Sequence, residues 1–265
     1  MIGFNALGRM GRLGNQMFQY AALKGMARNI GADITIPFYS TAVDDGIGNM
    51  LRTELFDSFD INVNIGLLNN GHAPVVQERH FHFDEELFKM CPDHVDLRGY
   101  FQTEKYFKHI EDEIRQDFTF VDEVSEPCKD IWKSIFGGAD VLSLHVRRGD
   151  YVGHTAHPVQ SMEYYKKALS HFFPDQPVLL CSDDPDWCRG EFTEDRFMIS
   201  DGGDTRVDLC LMTMCKYHII ANSSYSWWGA WLANSEKVIA PSKWFTGELA
   251  HKDTTDIYCP GWILI

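Results

Sequence analysis

Residues 141–152 read Val141-Leu-Ser-Leu-His-Val-Arg-Arg-Gly-Asp-Tyr-Val152. A strand buried on both faces of a parallel sheet is a short apolar run, and Val141, Leu142, Leu144 and Val146 supply one. Arg147 and Arg148 stand where that strand runs out, and ligands of open α/β sheets gather at the carboxyl ends of strands. A guanidinium is a planar fork of donors that fits phosphate oxygens two at a time. Gly149 lets the backbone turn and pass close to a ligand. The stretch therefore predicts an anion-binding strand end, with pyrophosphate as the fitting anion. The competing reading is an arginine pair salt-bridged to local acids such as Asp150. For an isolated Arg-Arg that reading would be preferred, because structural ion pairs are common. The neighbouring segments reverse the preference.

Downstream, strands and helices alternate. A helix is expected over 161–173, a strand over 177–181 running into Ser182-Asp183-Asp184, then a short helix and a strand over 196–200. Helix 206–215, strand 217–221, the segment Asn222-Ser-Ser-Tyr-Ser226 opening a Trp-rich helix to 233, and strand 237–240 complete the half. Such alternation implies a parallel sheet. Three of its strands end in polar clusters, which is the layout of a ligand crevice along one sheet edge.

Upstream the pattern is weaker. Residues 2–7 are faintly strand-like, and Gly8, Gly11 and Gly14 follow at intervals of three. Asn15 is a plausible N-cap for a helix over 16–29 closed by Gly31. A glycine-rich turn between strand and helix points backbone N–H groups at a ligand, but the spacing is not GxGxxG, and a turn serving only packing fits equally well. Ile34, Ile36 and Phe38 alternate as a second strand. Val75–Phe83, carrying His80 and His82 on one face, and Val95–Phe101 are further strand candidates. Residues 103–117 read as one amphipathic helix. Acids, Pro127 and the Gly137-Gly138 pair in 119–140 suggest a boundary, dividing the chain into domains 1–135 and 136–265.

The bulk numbers narrow the partners. The chain of 265 residues suffices for one large or two small domains, and a net charge of −14 argues against nucleic acid or an anionic membrane. Seven cysteines, an odd number without a CxxC, imply reduced thiols. Residues 1–14 lack the features of a signal peptide, and no run approaches the ~18 apolar residues of a membrane span. A soluble, cytoplasmic protein without integral membrane contact is expected; its oligomeric state is left open.

Within the clusters, each functional reading has a structural rival. Ser223, Ser224 and Ser226 at a helix start form a phosphate cradle or merely cap the helix. Trp227, Trp228 and Trp231 are expected in the core. Asp184-Pro-Asp186 is a DxD, which in some glycosyltransferases holds a divalent metal over a nucleotide diphosphate. With two arginines already present, no metal is expected, and Asp183 and Asp184 are read as polar ligands, as partners of Arg147 and Arg148, or as N-caps. His145, His154 and His157 lack the spacing of a zinc site. Arg148-Gly-Asp150 spells an adhesion tripeptide, but at a predicted strand end.

Taken together, these segments resemble glycosyltransferase family 11, the α-1,2-fucosyltransferases. HVRRGDYV at 145–152, SDD at 182–184, NSSYSWWGAWLA at 222–233 and GRLGNQMFQYA at 11–21 are similar to motifs of that family, in the same order, as is GYFQTEKYF at 99–107. The resemblance implies a GT-B-like α/β fold of two Rossmann-like domains facing across a cleft, with an N-terminal acceptor-side domain and a C-terminal GDP-sugar-binding domain. It implies GDP-β-L-fucose as donor, no cofactor or essential metal, inverting transfer to the 2-hydroxyl of a terminal galactoside, and a role in bacterial surface-glycan synthesis. Arg147 and Arg148 match the arginines that contact the donor diphosphate. His145, Ser182, Asp183, Asp184, Asn222, Ser223, Ser224 and Ser226 match donor-side motifs, and Gly11, Gly14, Asn15 and Gln16 the N-terminal motif. For the general base, His154 ranks ahead of Asp150 and His145, because a neutral imidazole suits pH 7. The alternatives are another GDP-sugar or linkage, or a catalytically silent glycan- or nucleotide-binding protein.

Overall fold

A computed structural model describes residues 1–46, 48–201 and 203–265. The chain divides into two units: Met1–Val121 with Lys252–Cys259, and Asp122–His251 with Pro260–Ile265. The first contains β1 (Ile2–Gly3), α1 (Leu13–Ile30), β2 (Ile34–Ile36), the hairpin β3 (Val43–Asp44) and β4 (Met50–Leu51), α2 (Leu55–Ser58), β5 (Asn64–Ile65), β6 (Val75–Gln77), α3 (Glu85–Met90), β7 (Asp96–Arg98) and α4 (Glu111–Asp117). The second contains α5 (Asp122–Ile135), β8 (Leu142–Val146), α6 (Met162–Leu169), β9 (Val178–Ser182), α7 (Pro185–Glu191), β10 (Phe197–Ile199), α8 (Thr205–Thr213), β11 (Tyr217–Ile219), α9 (Ser224–Leu232), β12 (Lys237–Ala240) and β13 (Ile263–Leu264).

Each unit is an α/β layer structure around a parallel sheet. In the second, the strand order is β10-β9-β8-β11-β12-β13, with every pairing parallel. Counted from β8, this is the doubly wound order 3-2-1-4-5-6, whose direction of winding reverses between β8 and β11. β8 and β9 are buried at every residue, which is why they read as largely apolar runs, β8 interrupted by Ser143 and His145. Tyr164, Tyr165 and Ala168 of α6 pack on Leu142, Leu144, Val178 and Leu180 to form the core beneath that reversal. Ser161 caps α6 by accepting from the Tyr164 amide at 3.2 Å. In the first unit the order is β5-β2-β1-β7-β6, again parallel, so the winding reverses between β1 and β7. Among the described residues no helix is long and apolar enough to cross a membrane.

Several boundaries differ from the sequence expectation. Most of the segment read as a domain boundary is α5, with Pro127 inside it and Val124 and Cys128 buried at i,i+4. The division accordingly falls at 121/122 rather than 135/136, and residues 252–259 return to the first unit. Helix α1 begins at Leu13, with Arg12 at the N-cap position, so Asn15 lies inside the first turn. The strand expected over 75–83 stops at Gln77; His80 and His82 follow it with stacked rings 4.8 Å apart. The helix expected over 103–117 is two 3₁₀ turns followed by α4.

Candidate functional site

The reversal between β8 and β11 is where a doubly wound sheet opens a crevice. β8 delivers Arg147 and Arg148 to it, β9 delivers Ser182, Asp183 and Asp184 beside them, and β11 leads into the start of α9. The two guanidiniums are oriented by carboxylates from the neighbouring strand end. Arg147 Nη1 lies 2.9 Å from Asp183 Oδ2 and its Nη2 bonds Asp150. Arg148 Nε donates to Asp184 Oδ2 at 3.0 Å. Asp183 also accepts from the Arg148 backbone amide at 2.8 Å. A Cβ on Gly149 would lie 2.5 Å from Asp183 Oδ2 and displace the carboxylate that orients Arg147.

Two aromatic rings back the arginines. Arg148 Cζ sits 4.0 Å from the centroid of Trp187, and Arg147 Cζ 5.0 Å from that of Tyr151. Such cation–π contacts contribute about 0.5–2 kcal/mol each and hold the fork in one plane. Arg148 is thus fixed through Nε and through its face, while its two terminal nitrogens have no hydrogen-bond partner among the described residues. Burial pushes the Tyr151 phenol up to about 12, so it remains a neutral donor, to the Asn222 carbonyl at 3.3 Å. The hydrogen bond from Arg148 holds the Asp184 carboxyl below its usual range.

Of the residues singled out from sequence, Arg147, Arg148, Asp150, Asp183 and Asp184 meet at these adjoining strand ends, and Ser223 and Ser224 open α9 after the neighbouring β11. Both rival readings of the acids hold: Asp183 and Asp184 pair with the arginines, and Asp184 also N-caps α7 through the Trp187 amide at 3.3 Å. Others are part of the frame. Ser182 Oγ accepts from the Asp184 amide at 3.0 Å. The Asn222 amide is occupied at both ends, donating to the Trp244 carbonyl at 3.1 Å and accepting from Gln160 at 2.9 Å. Ser226 is fully buried and donates to the Ser223 carbonyl at 3.3 Å. Ser223 holds the N-cap position of α9 without a side-chain capping bond.

His154, ranked first as general base, presents no free acceptor nitrogen in this structure. Its Nδ1 accepts from the backbone amides of Ala156 at 3.0 Å and His157 at 3.2 Å. That network assigns the ring proton of the neutral form to Nε2, which leaves no lone pair facing outward to take a proton. His145 does no better: burial, then the Arg147 charge, lowers its pKa to about 3. Its Nδ1 is buried without a hydrogen-bond partner.

The glycine-rich residues belong to the first unit. Gln16 is fully buried and its side chain is fully engaged, donating to the Gly11 carbonyl at 3.2 Å and the Arg52 carbonyl at 2.8 Å and accepting from the Glu54 amide at 2.8 Å. Asn15 Oδ1 accepts from Gln102 at 2.7 Å. Gly14 is buried inside the first turn of α1. Gln16 therefore ties the loop to residues 52–54 rather than pointing at a ligand.

The model of glycosyl transferase family 11 matches residues 1–265. The chain belongs to glycosyltransferase family 11. It is 30% identical to an α-1,2-colitosyltransferase of Escherichia coli over 269 residues, 90% of this chain and 91% of that protein. It is 26% identical to galactoside 2-α-L-fucosyltransferase Sec1 of Mus musculus over 248 residues, 86% of this chain and 64% of the relative. The solved structure of NodZ α-1,6-fucosyltransferase soaked with GDP-fucose superposes with a TM-score of 0.56 at 15% identity, covering 87% of this chain and 91% of the other. That likeness shows the fold, and the expected GT-B-like α/β class holds.

As a family 11 glycosyltransferase, the protein carries site features that the sequence reading passed over. Trp187 lies three residues past Asp184, one helical turn away, which was the available signal for a ring backing Arg148. Tyr225, whose ring is 5.5 Å from His145, gave no such signal.

Proposed function

We propose that the protein transfers L-fucose from GDP-β-L-fucose to the 2-hydroxyl of a terminal galactoside, with inversion and without a metal, in the cytoplasm. The observation that carries this reading is Arg148: a guanidinium fixed by Asp184 and Trp187 whose terminal nitrogens are unpaired at the strand end. Glycosyl transfer builds negative charge on the departing diphosphate, and preorganised cations aimed at that charge lower the barrier. Arg147 supplies a second cation, already turned by Asp183 and Asp150, and the Ser223–Ser224 start of α9 adds backbone N–H groups. The DxD acids are occupied elsewhere, Asp184 by Arg148 and Asp186 by Arg189 at 2.6 Å, which supports charge neutralisation by arginine. With His154 Nδ1 engaged, His145 buried and Asp150 held by Arg147, departure of the diphosphate leads the reaction and the acceptor proton passes late to a phosphate oxygen of the departing GDP. The names of both relatives support a 1,2 linkage. The cysteines, all unpaired, support a reducing compartment.

The colitosyltransferase relative favours one second reading, in which the donor is the GDP-linked form of colitose, a fucose lacking its 3-hydroxyl. Purified protein incubated with lactose and each donor separates the two. A product one deoxyhexose heavier, formed from GDP-fucose in EDTA and cleaved by an α-1,2-fucosidase, is the expected result. Product from the colitose donor alone supports the second reading. Stabilisation by GDP with no product from either donor would leave a silent binder.

A further inference from the structure

The first unit has a winding reversal of its own, between β1 and β7. The glycine-rich loop leaves β1 there, and the turn Gly99-Tyr-Phe-Gln102 leaves β7 on the same edge. That turn is held under strain. Phe101 is a bulky residue in the left-handed region, at φ +51°, with its ring fully buried between Phe4 and Tyr106. Glu78 pins it with both carboxylate oxygens: Oε2 accepts from the Tyr100 amide and Oε1 from the Phe101 amide, each at 2.8 Å. Gly99 leaves no room for a side chain, since a Cβ would lie 2.3 Å from Glu78 Cβ.

The turn is also bolted to the loop across the reversal. Gln19 Nε2 donates to the Gly99 carbonyl at 3.1 Å and to the Met10 carbonyl at 2.9 Å, and Gln102 donates to Asn15. Gln19 Oε1 is left buried with no partner. Of the four turn residues only Tyr100 shows its side chain to solvent, 40% exposed against 7% for Gln102 and none for Phe101. Strained backbone that the surroundings over-determine gathers at functional sites. Here the strain presents one aromatic ring at the place where a wound sheet receives ligands.

We propose that Tyr100 is the platform on which the terminal sugar of the acceptor stacks, and that Glu78 is the positioning residue that holds it there. The proposal rests on the galactoside reading above. Galactose carries an axial 4-hydroxyl, which leaves one face of its ring lined by C–H bonds, and such a face packs against an aromatic ring as an apolar surface. Partial burial, then the charges of Glu78 and Asp45, raise the pKa of the Tyr100 phenol, which stays a neutral donor.

The test uses the full chain with Tyr100→Ala, Tyr100→Phe and Glu78→Gln. Acceptor KM is measured with lactose, and GDP affinity by thermal shift. Tyr100→Ala is expected to raise acceptor KM about tenfold, the loss of one ring contact, with GDP affinity unchanged. Tyr100→Phe keeps the ring and should stay within about threefold of wild type. Glu78→Gln retains one acceptor oxygen for two amides and should raise acceptor KM between these values, again without touching GDP affinity. An acceptor KM for Tyr100→Ala equal to wild type, or a parallel fall in GDP affinity, overturns the proposal. If wild type ignores lactose, the galactoside reading has failed. The platform is then read by ligand-observed NMR against a panel of monosaccharides: binding lost in Tyr100→Ala and kept in Tyr100→Phe sustains it, and equal binding by all three refutes it.

Discussion

The histidines that burial perturbs lie in the second unit, and most of the carboxyls that burial raises lie in the first. In the second, burial lowers the pKa of His145 to about 3 and of His218 to about 4, and lowers that of His157. In the first, burial raises the carboxyls of Glu54, Glu78 and Asp96. The architecture differs in parallel. Strands of two or three residues make the first unit's sheet, and side chains such as Gln16, Gln19 and Glu78 finish the backbone hydrogen bonding that longer strands would supply. The second rests on five-residue strands whose ends carry the arginines. One unit finishes its sheet edge with side-chain-to-backbone bonds, the other with charged residues projecting from a regular sheet.

The largest effect that would break this contrast is at Arg148. Removing a preorganised donor to developing negative charge costs on the order of 10²–10³ in kcat. Arg148→Ala should show that loss, together with a smaller GDP-induced thermal shift, while the fold survives because the side chain is held by one surface carboxylate and one ring face. Near-wild-type turnover would move the seat of catalysis out of the second unit altogether.

Acid should separate the units next. An unfolded histidine titrates near 6.5, so between there and about pH 4 the unfolded second unit binds protons that the folded one refuses. The stabilisation from neutral His145 and His218 is complete above about pH 6.5 and declines as pH falls, by about 2–3 kcal/mol for each at about pH 4.5. The raised carboxyls of the first unit have the opposite sign: folding favours their protonated forms, so acid does not weaken that unit through them. Asp208 in the second unit, also raised by burial, offsets part of the histidine loss. All seven tryptophans, at 132, 187, 227, 228, 231, 244 and 262, lie in the second unit. Tryptophan fluorescence therefore follows that unit alone and circular dichroism follows both. Thermal melts between pH 7 and 4.5 should show the fluorescence transition moving down ahead of the dichroism transition. Coincident, pH-independent transitions would dissolve the distinction.

The contrast also explains what could be read from the sequence. β8, β9 and β11 were legible because a strand buried on both faces leaves a short, largely apolar run, and their polar ends marked the crevice before any topology was known. The pairing of Arg147 and Arg148 with Asp183 and Asp184 was among the readings, since opposite charges at neighbouring strand ends have few other partners. The tautomer of His154 was not legible, because it is set by two backbone amides whose positions no pattern encodes. Nor was the clamp of Glu78 on Tyr100 and Phe101, a contact across 22 residues between groups of ordinary composition. The short strands of the first unit carry too few residues for alternation to register. The return of Lys252–Cys259 to the first unit is a tertiary event with no local signature.

The boundary at α5 gives the smallest and cleanest test. Pro127 and the following glycines marked the segment as a boundary, yet Val124 and Cys128 bury one face of a helix there and the Trp132 ring lies tilted against Phe136, centroids 4.8 Å apart. Packing has overridden propensity. Proline in a helix interior removes the amide that would reach the carbonyl four residues back and crowds that turn. Pro127 is exposed, so replacing its ring with alanine removes no buried contact. Pro127→Ala restores the missing donor to a helix that already exists, against a smaller loss from the freer unfolded chain. The net expectation is a gain of about 1–2 kcal/mol. It should be read by tryptophan fluorescence in urea, because Trp132 lies in the same helix. A gain seen there but not in hydrogen exchange of the first unit places α5 with the second unit. A loss of stability would mean that the proline ring is part of how α5 is seated, and that the sequence was right to treat this point as a break.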